Sequence, residues 1–141
     1  MEQAILLAKQ AEALGETPVG CVIVRQASGE IIGRGYNRRE TDRSPLRHAE
    51  LLAIEEAAKA LGGWRLSDTA IYVTLEPCMM CLGAILQSRP QLLVYGASDK
   101  NGMLTTGKIQ TPFACRSGIL HSECQNILQV FFQNKRSKIS E

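Results

Sequence analysis

The chain has 141 residues, 45% of them hydrophobic and 21% charged, with a formal net charge of +2. This length and composition predict one soluble domain, residues 1–141, with a core of its own. No apolar run approaches the ~20 residues of a membrane span, and the N-terminus lacks a signal-peptide pattern. Five cysteines, an odd number, favour the reducing cytoplasm over the class of secreted, disulfide-bonded proteins.

The first predicted elements are a helix and a hairpin. Residues 1–14 have the apolar spacing of an amphipathic helix. Its expected buried side comprises Ala4, Leu7, Ala8, Ala11 and Leu14. Residues 19–24 and 30–36 flank Ala27-Ser28-Gly29 and predict an antiparallel β-hairpin.

A second helix is predicted over Ala49–Leu61, a run of strong helix formers that Gly62-Gly63 ends. Pro45 suits the entry to this helix, so His48 and Glu50 are expected in or near its first turn. The side chains at helical spacing form the expected buried stripe: Leu51, Ile54, Ala58 and Leu61.

The rest of the chain continues the alternation of strand and helix. Residues 71–75 and 92–96 predict buried strands, 78–87 and 120–135 predict helices, and a fifth strand is placed near 112–117. A hairpin followed by such an alternation implies a mixed sheet with helices on both faces.

The residues that carry chemistry lie in His48-Ala49-Glu50 and in Glu76-Pro77-Cys78-Met79-Met80-Cys81. Taken alone, Cys-x-x-Cys could be half of a zinc ribbon or a thioredoxin-like redox pair, and His48 and Glu50 could be ordinary helix residues. A ribbon needs a second Cys-x-x-Cys, whereas the remaining cysteines occur singly and suit small buried side chains: Cys21, Cys115 and Cys124.

The combination is more specific than its parts. A structural zinc site has four protein ligands, whereas a catalytic site has three and leaves the fourth position to water. His48, Cys78 and Cys81 supply three, and Glu50 is a carboxylate left over that could move protons. Glu76 is the competing carboxylate, and a structural role is expected for it. The pattern His-x-Glu followed by Pro-Cys-x-x-Cys is the known signature of zinc nucleobase deaminases.

Over most of its length the chain resembles the bacterial tRNA-specific adenosine deaminases of the cytidine deaminase-like superfamily. The matching segments are Pro18-Val19-Gly20, Gly35-Tyr36-Asn37-Arg38, His48-Ala49-Glu50, residues 72–81 and the C-terminal helix. The resemblance implies an α/β protein with a three-layer α/β/α fold and a mixed five-stranded sheet. It also implies hydrolysis of adenosine to inosine at the tRNA wobble position.

The resemblance further implies a role for each matching residue. One Zn²⁺ per chain is bound by His48, Cys78 and Cys81, and Glu50 is the catalytic proton shuttle. Substrate contacts are expected from Asn37, Ala49 and Arg38. The expected partners are a tRNA anticodon stem-loop and a second copy of the chain, since the family's tRNA deaminases pair.

Two features bear on the substrate. Basic residues precede the metal histidine and recur near the C-terminus, and they could contact phosphates or be solvated surface: Arg38, Arg39, Arg43, Arg47, Lys135, Arg136 and Lys138. The segment Asp99–Ile119 is shorter than in the bacterial members. A deaminase of a free base, nucleoside or nucleotide, such as guanine, cytosine or deoxycytidylate, is the alternative. A non-catalytic RNA-binding subunit is a further one, although it has little reason to keep Glu50.

Overall fold

A computed structural model describes residues 1–140, with side chains through residue 139. Its helices are α1 (Glu2–Ala13), α2 (Ala49–Leu61), α3 (Met79–Ser88) and α4 (His121–Ser140). Its strands are β1 (Gly20–Arg25), β2 (Ile31–Tyr36), β3 (Thr69–Leu75), β4 (Leu92–Ala97) and β5 (Ala114–Ser117). Each predicted element is present, with ends that differ by a few residues.

The five strands form one mixed sheet in the order β2-β1-β3-β4-β5. β1 pairs antiparallel with β2 and with β3, which confirms the hairpin, whereas β3, β4 and β5 run parallel. α1 and α4 contact each other and the sheet, and α2 and α3 contact each other on the other face. The predicted three-layer α/β/α arrangement is therefore confirmed, and the parallel strands β3 and β4 end at the same edge of the sheet.

Helix α2 lies unusually close to β2 because small residues face each other. A Cβ atom added to Gly33 would lie 2.3 Å from the Ala53 carbonyl oxygen, and one added to Gly35 would lie 2.2 Å from that of Ala49. Ala49, Ala53 and Ala57 are accordingly fully buried. The predicted stripe is not the face that is fully buried, because the helix turns its alanines to the sheet; Ile54, Ala58 and Leu61 pack against the edge of the core. The residues expected in that stripe are only partly buried: Leu51, Ile54, Ala58 and Leu61.

Helix α1 packs on β1 in the same way. A Cβ atom on Gly20 would lie 2.0 Å from the carbonyl oxygen of Ala4. The expected buried side of α1 is confirmed except at Leu14, which is 49% exposed. The helix ends at Ala13, and Gly15 then turns the chain with a φ of +79°, so Leu14 leaves the buried side.

The connection between β4 and β5 is irregular. Residues 98–113, all of them described, contain turns but no helix, and the four residues of β5 are exposed. Of the helices described, none has the length and apolar character needed to cross a membrane.

Candidate active site

The N-terminal ends of α2 and α3 bring the three predicted ligands together. His48 is the N-cap residue of α2 and Cys78 that of α3, both with extended backbone, and Cys81 lies in the first turn of α3. The His48 Nδ1 atom lies 3.7 Å from Cys78 Sγ and 3.5 Å from Cys81 Sγ. All three ligand atoms lie within 4.8 Å of one another.

These distances fit one zinc ion. Tetrahedral bonds of about 2.3 Å to sulfur and about 2.05 Å to nitrogen place the nitrogen and sulfur atoms about 3.6 Å apart. The observed separations of 3.5 and 3.7 Å bracket that value. In the described part of the chain, the metal-binding group consists of these three residues. Three ligands are the number found in catalytic zinc sites.

The two thiols are unequal. A hydrogen bond from Cys81 lowers the pKa of Cys78 to about 5, and the same bond raises the pKa of Cys81 well above its ordinary value. The environment therefore favours the thiolate at Cys78 over the thiolate at Cys81. Because zinc binds thiolates, metal binding releases the proton of Cys81.

Glu50 lies in the first turn of α2 and lines the cavity beside His48 and Cys78. It is 4% exposed, and this burial raises the pKa of its carboxyl to about 7, with a further contribution from the Cys78 charge. A zinc ion beside the carboxyl would favour its charged form, as any nearby cation does. Glu50 is not among the three converging ligands, so its carboxyl can contact water or substrate.

The cavity has a volume of about 200 Å³. Ten residues line it: Thr17, Val19, Asn37, Arg39, His48, Glu50, Leu75, Glu76, Cys78 and Asp99. Its size and its mixture of apolar and polar groups suit a planar heterocycle.

Asn37 lies on this cavity wall, immediately after β2. Its side-chain oxygen accepts a hydrogen bond from the Ala49 N–H at 2.9 Å, and its own N–H donates to the Val19 carbonyl. At 8% exposure it is a fixed, buried side chain rather than an exposed turn residue. Its carbonyl oxygen is thus engaged, and its amino group is the part that could donate to a base.

The structure places the other two expected contacts differently. Arg38 forms a bidentate pair with Asp42, with N–O distances of 3.0 Å, and also donates to the Tyr36 hydroxyl. Arg39, rather than Arg38, lines the cavity. Ala49 is fully buried, and its N–H donates to Asn37. Arg38 and Asp42 are four residues apart, and this spacing is the sequence signal that Arg38, rather than Arg39, forms an ion pair with Asp42.

The loop that carries Arg39 is held by Glu16, which sequence reasoning missed. The Glu16 carboxylate is buried and accepts hydrogen bonds from the Glu40 N–H and from the N–H and hydroxyl of Thr41. Burial alone would raise the pKa of Glu16, but these bonds and the Arg39 charge leave it lowered. The arginine-bearing loop therefore has a fixed position beside the cavity.

Comparisons with known proteins agree with this geometry. Residues 1–97 match the family model described as the cytidine and deoxycytidylate deaminase zinc-binding region. The chain is 44% identical to the tRNA-specific adenosine deaminase of Bacillus subtilis (strain 168), in an alignment that covers 98% of this chain and 89% of that protein.

Solved structures give the same result. A tRNA:A34 deaminase, studied for A-to-I editing at the wobble position of transfer RNA, superposes with a TM-score of 0.82. It is 36% identical over 91% of this chain and 97% of its own. Guanine deaminase from Bacillus subtilis superposes with a TM-score of 0.65 and is 38% identical, over 76% of this chain and 65% of its own. The chain belongs to the tRNA-specific adenosine deaminases, within the cytidine and deoxycytidylate deaminase family of zinc-dependent hydrolases.

Proposed function

We propose that the protein hydrolyses adenosine to inosine at the wobble position of tRNA, as the names of its relatives describe for them. The observation that carries the proposal is the convergence of His48, Cys78 and Cys81 beside the buried Glu50, in a cavity of the size of a base. Single-domain catalysis by residues 1–141 is part of this proposal. So is a cytoplasmic location, where reducing conditions keep the ligand thiols available.

In this proposal Glu50 moves the protons. Zinc, when bound, supplies Lewis acidity and lowers the pKa of a bound water to roughly 7. Glu50 accepts one proton from the attacking water and delivers it to N1 of adenine. It then carries the second water proton to the departing amine, which leaves as ammonia, while the oxygen stays on C6. A single carboxyl can act as base and then as acid because each transfer returns it to the state the next one needs.

The remaining side chains would hold the base in place. Asn37 has its carbonyl oxygen bound to the Ala49 N–H, so its amino group is the donor for a ring nitrogen. This bond also fixes the start of α2, which carries His48 and Glu50. Ala49 thus contributes to substrate binding through its N–H, which holds the Asn37 side chain in place. Arg38 orders the loop through Asp42, and its neighbour Arg39 can reach a phosphate beside the flipped nucleotide.

The direct test is incubation of the zinc-loaded protein with an anticodon stem-loop that carries a wobble adenosine. Nucleoside analysis should detect inosine. A stem-loop with guanosine at the wobble position controls for deamination elsewhere in the RNA. If no inosine forms while ammonia is released from a free base, the substrate assignment is wrong and the reaction class stands.

Guanine is the free base to include in that experiment. The likeness to Bacillus subtilis guanine deaminase, at 38% identity, is the observation that favours it. A cavity of about 200 Å³ is large enough for a free purine. The ratio of kcat/KM for the stem-loop to that for guanine distinguishes the two substrates.

Arg39 provides a prediction for RNA binding. Arg39→Ala should weaken stem-loop binding and reduce the slope of log affinity against log salt by about one, because one phosphate contact is lost. The matched control is Lys59→Ala, which removes a charge at the opposite end of α2 from His48. Equal salt slopes for the two variants would mean that Arg39 is solvated surface.

We also propose that the protein forms a homodimer. Helix α3 carries more apolar side chains than one core-facing stripe needs. Leu82 and Ile85 are buried in the core, and Leu86 packs against it. Met79 is 68% exposed, and Met80 and Leu46 are exposed as well. These three apolar side chains flank the metal ligands in the sequence, and we take them together as the proposed dimer patch.

Light scattering at micromolar concentration should return twice the 15.5 kDa of the chain. Leu46→Glu should lower that mass by placing a charge in the patch, whereas Leu14→Glu, an exposed leucine at the far end of α1, should leave it unchanged. A wild-type mass of one chain would contradict the dimer.

A further inference from the structure

A single buried carboxylate fixes the chain segment of residues 99–107, which follows β4. Glu76 is 4% exposed and lies directly after β3. Its Oε1 atom accepts hydrogen bonds from the Asp99 N–H at 3.2 Å and from the Thr105 hydroxyl. Its Oε2 atom accepts from the N–H groups of Leu104 at 3.2 Å and Thr105 at 3.3 Å. All four donors belong to the 99–107 segment.

The segment wraps tightly around this carboxylate. A Cβ atom added to Gly102 would lie 1.8 Å from the Glu76 Oε2 atom and 2.3 Å from its carboxyl carbon. The Gly102 N–H donates to the Asp99 carbonyl and the Gly102 carbonyl accepts from Thr106, so the turn is closed on both sides. Only glycine at position 102 allows the backbone to approach the carboxylate this closely.

The same carboxylate and the first residue of the segment, Asp99, also form part of the cavity wall. Glu76 and Asp99 both line the cavity that contains Glu50 and the metal ligands. Because the described connection from β4 to β5 lacks a helix, repeated helical hydrogen bonds do not stabilise the segment. Met103 and Leu104 are only partly buried against the core. Hydrogen bonds within the segment close its turns, and the four to Glu76 connect the segment to the end of β3.

We infer that Glu76 is a positioning residue, which holds the 99–107 segment, and with it Asp99 on the cavity wall, and thereby sets the affinity for substrate. It acts through the segment and not on the reacting atoms, since its oxygens are already bound to four donors. The identity of the substrate in this inference rests on the proposed function. Loosening the wall should weaken binding more than it slows the chemical step, because Glu50 and the ligands lie on other elements.

Gly102→Ala is the informative variant, since it forces the segment and the carboxylate apart while Glu76 and the metal ligands themselves are not substituted. Its KM for the stem-loop should rise about tenfold, the factor expected when charge-assisted hydrogen bonds are lost, with kcat within about threefold. The matched control is Gly83→Ala, at an exposed position of α3, where the described residues leave more than 4 Å around a new Cβ. Zinc content should stay at one per chain in both.

Two further measurements separate positioning from general stability. Thr105→Val, which removes one donor and keeps the side-chain shape, should raise KM in the same direction by a smaller factor. Amide hydrogen exchange at Leu104 and Thr105 should accelerate in Gly102→Ala, while exchange in the strands β1 and β3 should stay as in the wild type. This readout requires no turnover.

A Gly102→Ala variant with the same KM and the same exchange as Gly83→Ala would overturn the inference. So would a parallel loss of kcat and zinc, which would mean that Glu76 only maintains the metal site. Failure of the wild-type protein on the stem-loop would count against the proposed function alone. The same KM comparison would then use the free base that the wild-type protein deaminates.

Discussion

Glu50→Gln is expected to lower kcat by about 10²- to 10⁴-fold, the usual contribution of general acid–base catalysis, while zinc content stays at one per chain. Glutamine has nearly the shape of glutamate but cannot accept and return a proton. Because one carboxyl serves several transfers in the proposed reaction, we expect the upper part of this range. Single-turnover rates on the stem-loop, with metal analysis of the same sample, provide the measurement.

The control for this variant is Glu56→Gln, an exposed carboxyl on the same helix. It should retain the wild-type rate. A Glu50→Gln protein that keeps more than about a tenth of the wild-type rate would contradict the proton-shuttle role.

The metal-free protein provides an independent check on the environment of Glu50. Burial raises the pKa of its carboxyl to about 7, above the 4.5 of an exposed glutamate. The protonated form therefore favours the folded state, and this stability is lost as pH rises from about 4.5 through about 7. Metal-free Glu50→Gln should gain stability relative to the metal-free wild type between pH 5 and 8, as urea denaturation can measure. Equal pH profiles would mean that the carboxyl is well solvated.

Cys81→Ala is expected to abolish zinc binding, and with it activity. Cys81 is fully buried in the first turn of α3, and with His48 and Cys78 it ties the starts of two helices together. A ligand that binds only the folded state stabilises it by about 4 kcal/mol at a thousand times its Kd. The thermal midpoint of the wild type should therefore fall when a chelator is added, and that of Cys81→Ala should not respond.

Cys115→Ala controls for the loss of a thiol as such, because Cys115 is exposed on β5. It should keep its zinc and its response to the chelator. If Cys81→Ala bound zinc as tightly as Cys115→Ala, the three-residue site would not be the one that holds the metal.

The sequence was sufficient to predict the helices and strands and the metal ligands at the starts of two helices. The apolar runs at β3 and β4 and the glycines after α2 are strong local signals, so the predicted strands and helices are confirmed. The ligand set could be found because His48 and Cys78 each precede a helix and are separated in sequence by only one further strand. Convergence of helix starts at one sheet edge follows from this order of elements.

Other features depend on contacts that periodicity does not encode. The fully buried face of α2 differs from the predicted stripe because hydrophobicity favours Leu51 and Ile54, whereas the close approach of Gly33 and Gly35 selects alanines for the sheet side. The functions of Glu16 and Glu76 depend on backbone N–H groups more than 20 residues away along the chain. Such donors are present at nearly every residue, so no side-chain pattern marks the ones that a buried carboxylate will bind.

The glycine–alanine contacts between α2 and β2 also bear on how the enzyme could be given a new base preference. With Ala49 and Ala53 against Gly35 and Gly33, even a single added methyl group on the strand would push the helix, and with it His48 and Glu50, away from the sheet. A directed-evolution library should leave these four positions fixed. Diversity is better placed at the side chains of Arg39 and Asp99, which line the cavity and are not zinc ligands. Gly102 should stay fixed as well, because it packs against the Glu76 carboxylate.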